Sequence, residues 1–127
     1  MKHLITDPSE AYQFLDNILR QWEREKIGVL GECYYNAVGL YMSLSLSVSN
    51  KIFIKYGTFT HNNVDNRKMI DGVWYLPFHF WVVIVVSGEK VVLDPTSRSM
   101  YLQALKSPCY DPINDYVMTK ENVELIK

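Results

Sequence analysis

The first half of the chain carries apolar residues at three- and four-residue spacing in two segments. Between residues 8 and 26 the apolar positions form one stripe, made by Ala11, Leu15, Ile18, Leu19 and Trp22. The stripe predicts an amphipathic helix, with Asp7 as its N-cap and Pro8 at the first helical position. A second stripe predicts a more buried helix that begins at or just before Cys33 and extends to about Leu46.

In the second half of the chain, apolar and polar positions follow the two-residue period of strands. Alternating apolar and basic residues predict a half-exposed strand that ends at Gly57. The polar residues 58–72 predict a long surface loop or an irregular hairpin. Two further strands are predicted at Trp74–Val86 and Lys90–Leu93, joined by a turn around Gly88.

The run from Phe80 to Val86 is apolar at nearly every position. Such a strand is covered on both faces, which places it in the middle of the sheet. A second Asp-Pro pair at Asp94 predicts a short helix, and the tail from residue 107 predicts an edge strand. These elements predict a small α+β domain with helices packed on an antiparallel sheet.

Composition narrows the class of protein. At 127 residues the chain predicts a single domain that spans residues 1–127. With 48% apolar residues, nine Tyr and three Trp, it lacks the composition of a disordered chain. The net charge of −1, without a block of Lys or Arg, gives no electrostatic reason to expect nucleic acid or anionic lipid as a partner.

The longest apolar run has only the length of a strand, so no membrane span is predicted. The first residues are acidic and contain a proline, which predicts no secretory signal. Cys33 and Cys109 are far apart and lack C-x-x-C spacing, so neither a disulfide framework, a metal site nor a cofactor is predicted. These features favour a cytoplasmic protein, with export by a route without a cleaved signal left open.

Cys33 is the candidate nucleophile. At a helix N-terminus the helix dipole stabilises a thiolate, and the N–H of Cys33 itself would point at a developing oxyanion. Of the three histidines, His3 lies near the N-terminus and His61 in the polar segment, whereas His79 begins the central strand, where packing can fix its ring. Asp94 is the candidate carboxylate that orients the imidazole.

The hairpin register decides whether Asp94 reaches His79. A two-residue turn at Gly88 and Glu89 leaves the two residues four positions out of register, on the order of 13 Å. A four-residue loop over Val86–Glu89 leaves a two-residue diagonal of roughly 7 Å. The triad therefore predicts a wider turn or a bulge. Asp94 is also a good helix N-cap, and one carboxylate can fill both roles.

Three motifs occur in an order that points to a known superfamily. They consist of Gly31, Cys33 and Ala37, then Tyr56 and Gly57, then His79, Trp81, Val82, Leu93, Asp94, Pro95 and Thr96. Together, over residues 31–97, they resemble the core of the transglutaminase-like superfamily, relatives of the papain-like cysteine enzymes. The resemblance implies a papain/transglutaminase-like core and a Cys-His-Asp triad of Cys33, His79 and Asp94.

The resemblance implies a hydrolase that acts on a peptide or side-chain amide of a protein substrate, of the peptidase or protein-glutamine deamidase type. An inactive binding or inhibitory module and an amine-accepting transglutaminase are the alternatives. Taken singly, Cys33 and His79 are each typical of buried structural residues. The position of the papain-type oxyanion glutamine holds Ile27, which leaves Gln21 or Trp22 as candidates for a second oxyanion donor.

Overall fold

Three helices and six strands make up the described part of the chain. The structure is a computed structural model and describes residues 2–26, 33–61, 68–70, 73–75, 79–102 and 108–116. The helices are α1 (Pro8–Arg24), α2 (Cys33–Ser47) and α3 (Pro95–Leu102). The strands are β1 (Ile52–His61), β2 (Lys68–Ile70), β3 (Val73–Tyr75), β4 (His79–Val86), β5 (Glu89–Leu93) and β6 (Pro108–Tyr116).

Four of the strands form one antiparallel sheet in the order β5-β4-β1-β6. Among the described residues, strands β2 and β3 pair with each other in a small separate hairpin. Helices α1 and α2 supply apolar residues to a core that they share with β1, β4 and β5. The prediction of an α+β fold, with helices packed on an antiparallel sheet, is confirmed.

Strand β4 lies in the middle of the sheet and is buried on both faces. Val82, Ile84 and Val86 join the helical core. Trp81 and Val83 project from the opposite face and are also buried. The prediction of a central strand without a polar face is therefore confirmed.

Helix α1 begins as predicted. The Asp7 side chain accepts a hydrogen bond from the Ser9 N–H at 2.9 Å, and Pro8 is the first helical residue. The helix ends at Arg24, two residues before the predicted end. None of the helices in the described residues has both the length and the apolar character needed to cross a bilayer.

Close packing of α1 on α2 explains the glycine in the middle of α2. A Cβ atom at Gly39 would lie 3.3 Å from Cζ2 of Trp22. The missing side chain allows the indole of α1 to lie directly against α2. Gly39 weakens the helical propensity by about 1 kcal/mol, which this helix–helix contact helps to offset.

Two polar contacts tie the outer parts of the fold together. Arg98 of α3 donates to both carboxylate oxygens of Asp16 in α1, at 3.0 and 3.1 Å. The Asn50 side chain accepts from the Ile5 N–H and donates to the carbonyls of Ile5 and Val85. The chain before α1 is thereby held against β4.

Strand β1 is longer than predicted. It continues past Gly57 to His61, because residues 57–61 pair with β6, a segment from the end of the described chain. The prediction of a strand end at Gly57 and of a loop from residue 58 was wrong at these positions. β6 lies at the edge of the sheet, as predicted for the tail, and its position accommodates Pro108 and Pro112.

The predicted strand Trp74–Val86 is two strands. Val73–Tyr75 pairs with Lys68–Ile70, whereas β4 begins at His79 in the main sheet. Residues 62–67, 71–72 and 76–78 of the predicted loop and strand lie outside the described residues. The alternative prediction for residues 58–72, an irregular hairpin, is confirmed in part, because Lys68–Ile70 forms one strand of the hairpin with Val73–Tyr75.

The turn between β4 and β5 has two residues and sets the register of the hairpin. Val86 pairs with Glu89, and Ser87 and Gly88 both have positive φ, 50° and 81°, the pattern of a type I′ turn. The prediction of a wider turn or a bulge was wrong. A two-residue turn at Ser87 and Gly88, one residue earlier than the turn considered above, gives the same register as the four-residue loop, because Val86 then pairs with Glu89. The left-handed backbone of this turn matches the twist of the strands.

We expect Gly88→Ala to lower the free energy of unfolding by about 1 kcal/mol, because a Cβ atom is strained at positive φ. The added methyl has open space around it, so a clash cannot cause the loss. Gly88→Asn is the matched control and should lose much less, since Asn tolerates this conformation. Urea unfolding of the three proteins measures the difference. Equal losses for Ala and Asn would contradict a left-handed Gly88.

Candidate active site

His79 and Asp94 form a buried hydrogen-bonded pair. The Nε2 atom of His79 lies 2.5 Å from Oδ2 of Asp94, and both side chains are almost fully shielded from solvent. The hairpin register explains the contact, because Leu93 pairs with Val82 and Asp94 follows Leu93 toward the start of β4. Asp94 therefore reaches the ring of His79, the first residue of β4.

The other carboxylate oxygen of Asp94 caps the N-terminus of helix α3. Oδ1 accepts a hydrogen bond from the Ser97 N–H at 3.2 Å, and the Asp94 carbonyl accepts from the Arg98 N–H at 2.8 Å. These are the contacts of a helix N-cap. One carboxylate thus fills both roles predicted for Asp94, with one oxygen for each.

Cys33 is the first residue of α2 and completes the cluster. Cys33 is partly buried, and its thiol lies close enough to the His79 side chain and to the Phe80 backbone N–H for both groups to lower its pKa. Because Nε2 of His79 is engaged with Asp94, Nδ1 is the ring nitrogen left for the thiol. The structure places the three predicted site residues in the order sulfur, imidazole, carboxylate.

Electrostatics in the cluster favour a thiolate and an imidazolium. Burial is the largest influence on Cys33 and opposes ionisation, but the His79 hydrogen bond, the Phe80 N–H and the His79 charge together lower the pKa of the thiol. Burial also opposes the charged form of His79. The hydrogen bonds and charges of Asp94 and Cys33 outweigh it and raise the pKa of His79 to about 9.

Aromatic side chains hold the residues of the cluster in place. Tyr34, next to Cys33, packs edge-on against Phe80, next to His79, with ring centroids 5.1 Å apart. The indole of Trp81 stacks on the His79 ring at 6.0 Å and is buried. Trp81 is a buried core residue that also restricts the rotation of the imidazole.

His3, His61 and Cys109 are not part of the cluster formed by Cys33, His79 and Asp94. His3 pairs with Glu10 on the surface. His61 and Cys109 both belong to the paired strands β1 and β6, where His61 is opposite Pro108 and Cys109 is opposite Thr60. The described residues contain no group of three or more His, Cys, Asp or Glu that could hold a metal ion.

The two residues predicted as a second oxyanion donor are engaged elsewhere. The Gln21 amide donates to Glu25 at 3.1 Å on the exposed side of α1. The Trp22 ring lies against Gly39, which is six residues, or about 9 Å, along α2 from Cys33. These contacts give neither side chain a place at the sulfur. Within the described residues, the N–H of Cys33 at the start of α2 remains the candidate oxyanion donor.

Sequence reasoning missed two contributors to the site, the Phe80 N–H, which lowers the pKa of Cys33, and Asn36. Asn36 of α2 donates to Thr96 of α3 at 3.0 Å, and the sequence marks Thr96 only as a motif residue. Asn36 is a polar residue in a largely apolar helix, one turn after the cysteine. That position is a sequence signal that could have singled it out.

Comparisons of the chain with protein-family models, curated proteins and solved structures find no match.

The geometry predicts a pH profile for the reaction of Cys33 with iodoacetamide in a Cys109→Ser background. Thiolate is the reactive form, so a lowered pKa moves the midpoint of the profile below about 8.5, the value of a free thiol. His79→Ala removes the hydrogen bond and the positive charge, and should move the midpoint upward. Rates measured by mass spectrometry between pH 5 and 10 give both curves.

Phe53→Leu is a suitable control, because Phe53 lies on β1 opposite Val83 and is not part of the cluster. Its midpoint should equal that of the parent protein. Identical profiles for the parent protein and His79→Ala would contradict the thiolate–imidazolium pair.

Proposed function

We propose that this protein is a cysteine-dependent acyl-transfer hydrolase that acts on a peptide or side-chain amide, with Cys33, His79 and Asp94 as its triad. The observation that carries the proposal is the buried His79–Asp94 hydrogen bond beside a partly buried cysteine at a helix N-terminus. A transglutaminase-like superfamily fold, with its papain-like core, is part of the same proposal and is supported by the motifs in residues 31–97.

Each residue has a step in the proposed reaction. The Cys33 thiolate attacks the amide carbonyl, and the Cys33 N–H stabilises the oxyanion that forms. The His79 imidazolium gives its proton to the leaving nitrogen, the C–N bond breaks, and a thioester remains. Neutral His79 then takes a proton from water, the hydroxide oxygen attacks the thioester, and collapse releases the acid and restores the thiolate.

Asp94 keeps the imidazole in the required state. Its Oδ2 atom accepts the Nε2–H, which leaves Nδ1 directed at the sulfur and stabilises the imidazolium. The N-cap contact of Oδ1 holds the carboxylate, so little reorganisation is needed when charge moves between Cys33 and His79.

A purely structural role explains the cluster less well. Burying a histidine and a carboxylate as a charged pair carries a large desolvation cost, and well-packed apolar residues usually stabilise a core at least as much. Here the pair lies next to a cysteine that is only partly buried. That combination favours chemistry over packing.

Hydrolysis of amides is favoured over transfer to an amine. A domain of 127 residues offers little surface on which to bind a second, amine substrate beside the acyl donor. A peptidase and a side-chain deamidase both fit the same triad.

The proposal predicts that p-nitrophenyl acetate acetylates Cys33 in a burst, followed by slower turnover. In a Cys109→Ser background, His79→Ala should lower the acylation rate at neutral pH by about tenfold or more, because the thiolate that attacks the ester is no longer stabilised; the nitrophenolate leaves as an anion and needs no proton donor. Asp94→Asn should also slow the reaction. Stopped-flow absorbance gives the rates, and mass spectrometry of the trapped protein identifies the acetylated residue.

Phe53→Leu again serves as the folded control and should keep the parent rate. Equal acylation of the parent protein and His79→Ala would point to the non-catalytic binding module. With casein as a test protein and a fluorescent primary amine present, peptide cleavage, conversion of Gln to Glu, or amine incorporation would identify the reaction as that of a peptidase, a deamidase or a transglutaminase.

A further inference from the structure

The contact between Asn36 and Thr96 joins the two helices whose N-termini meet at the cluster. Asn36 is one turn after Cys33 in α2, and Thr96 is two residues after Asp94 in α3. The Asn36 amide donates to the Thr96 hydroxyl at 3.0 Å. Both residues are buried, with 3% and 6% of their surface exposed.

We propose that Asn36 and Thr96 are a positioning pair that fixes the distance between the Cys33 sulfur and the Asp94 carboxylate. This inference rests on the proposed function of the triad. It names two residues that do not touch the reacting atoms and act through the helices that carry them.

The need for such a pair follows from the way the cluster is built. His79 bonds to Cys33 on one side and to Asp94 on the other. Cys33 belongs to α2, and Asp94 is the N-cap of α3, so a sliding of the two helices would pull one partner away from the ring. Backbone hydrogen bonds of a helix are made within the helix, so only side chains can fix the relative position of α2 and α3.

A polar pair is suited to this role where an apolar pair would not be. Apolar contacts tolerate small sliding movements, whereas a buried hydrogen bond is directional and leaves unsatisfied groups when it breaks. Most side-chain hydrogen bonds are made to backbone or water, so a fully buried bond between two side chains, 60 residues apart, is an uncommon arrangement.

A second polar link joins α3 to the other long helix. Arg98 of α3 binds Asp16 of α1. That ion pair fixes α3 relative to α1, and the Asn36–Thr96 bond fixes it relative to the helix that carries the nucleophile. The ionisable groups of the described residues that influence the Cys33 pKa are His79 and Asp94, and burial and the Phe80 N–H act on it as well. A change in this pKa therefore reports the surroundings of the sulfur, which the control variants below separate from a general loss of stability.

The test is the pH profile of Cys33 alkylation by iodoacetamide in the full chain with Cys109→Ser. Thr96→Val keeps the size of the side chain and removes the acceptor. Loosening the triad should move the midpoint upward by about one pH unit, which makes alkylation at acidic pH about tenfold slower. Thr96→Ser keeps a hydroxyl and should restore the parent profile.

A matched control separates positioning from stability. Val48→Ala removes buried apolar surface after the C-terminal end of α2, far from Cys33, and should lower stability without moving the midpoint. If Thr96→Val does not fold, Thr96→Ala replaces it, since the space that it leaves allows water to satisfy the Asn36 amide.

Two results would overturn the inference. An unchanged midpoint in the folded Thr96 variant shows that the pair does not position the triad. An equal shift in Val48→Ala shows that any loosening of the core moves the midpoint. The triad itself is judged separately, because His79→Ala shifts the profile if the thiolate–imidazolium pair exists, whatever the Thr96 variants do.

Discussion

The carboxylate of Asp94 is the group on which the arrangement of the site depends. A buried carboxylate is stable only when its oxygens accept hydrogen bonds. One oxygen of Asp94 takes the Ser97 N–H and starts α3, and the other takes His79. The start of a helix and the orientation of an imidazole are therefore fixed by the same side chain, and neither can shift without leaving an oxygen of the carboxylate unsatisfied.

The charges of the cluster alternate in a way that the two helix N-termini support. Helix N-termini favour negative charge, and α2 and α3 begin at Cys33 and at Pro95, directly after Asp94. In the proposed reaction the thiolate and the carboxylate are the two anions, and the imidazolium lies between them. A proton would then move from His79 to the substrate while the flanking groups stay in place, which is the preorganisation that the proposed acyl transfer requires.

The rest of the fold supplies the stability that the charged cluster does not. Buried ion pairs stabilise proteins little in net terms, because desolvation offsets their attraction. The apolar residues of α1, α2 and the sheet form the core, and polar contacts of Asn50 and Arg98 hold the outer segments to it.

The features that the sequence alone predicted are those that depend on near neighbours. Apolar spacing and capping residues predicted α1, α2 and the N-cap at Asp7, since a helix is built from contacts three and four residues apart. The uninterrupted apolar run predicted the central position of β4. Positions at the predicted starts of a helix and a strand selected Cys33 and His79, and the register argument for Asp94 required a turn that was wrong.

Tertiary structure decided everything that joins distant segments. The extension of β1 to His61 depends on β6, and the separation of β3 from β4 depends on pairing with β2. The Asn36–Thr96 bond spans 60 residues, and its geometry exists only after both helices have packed. The local sequence pattern limits which residues can come into contact. The sheet register and the helix packing decide which of them do, because the register and the packing depend on the burial of the whole core.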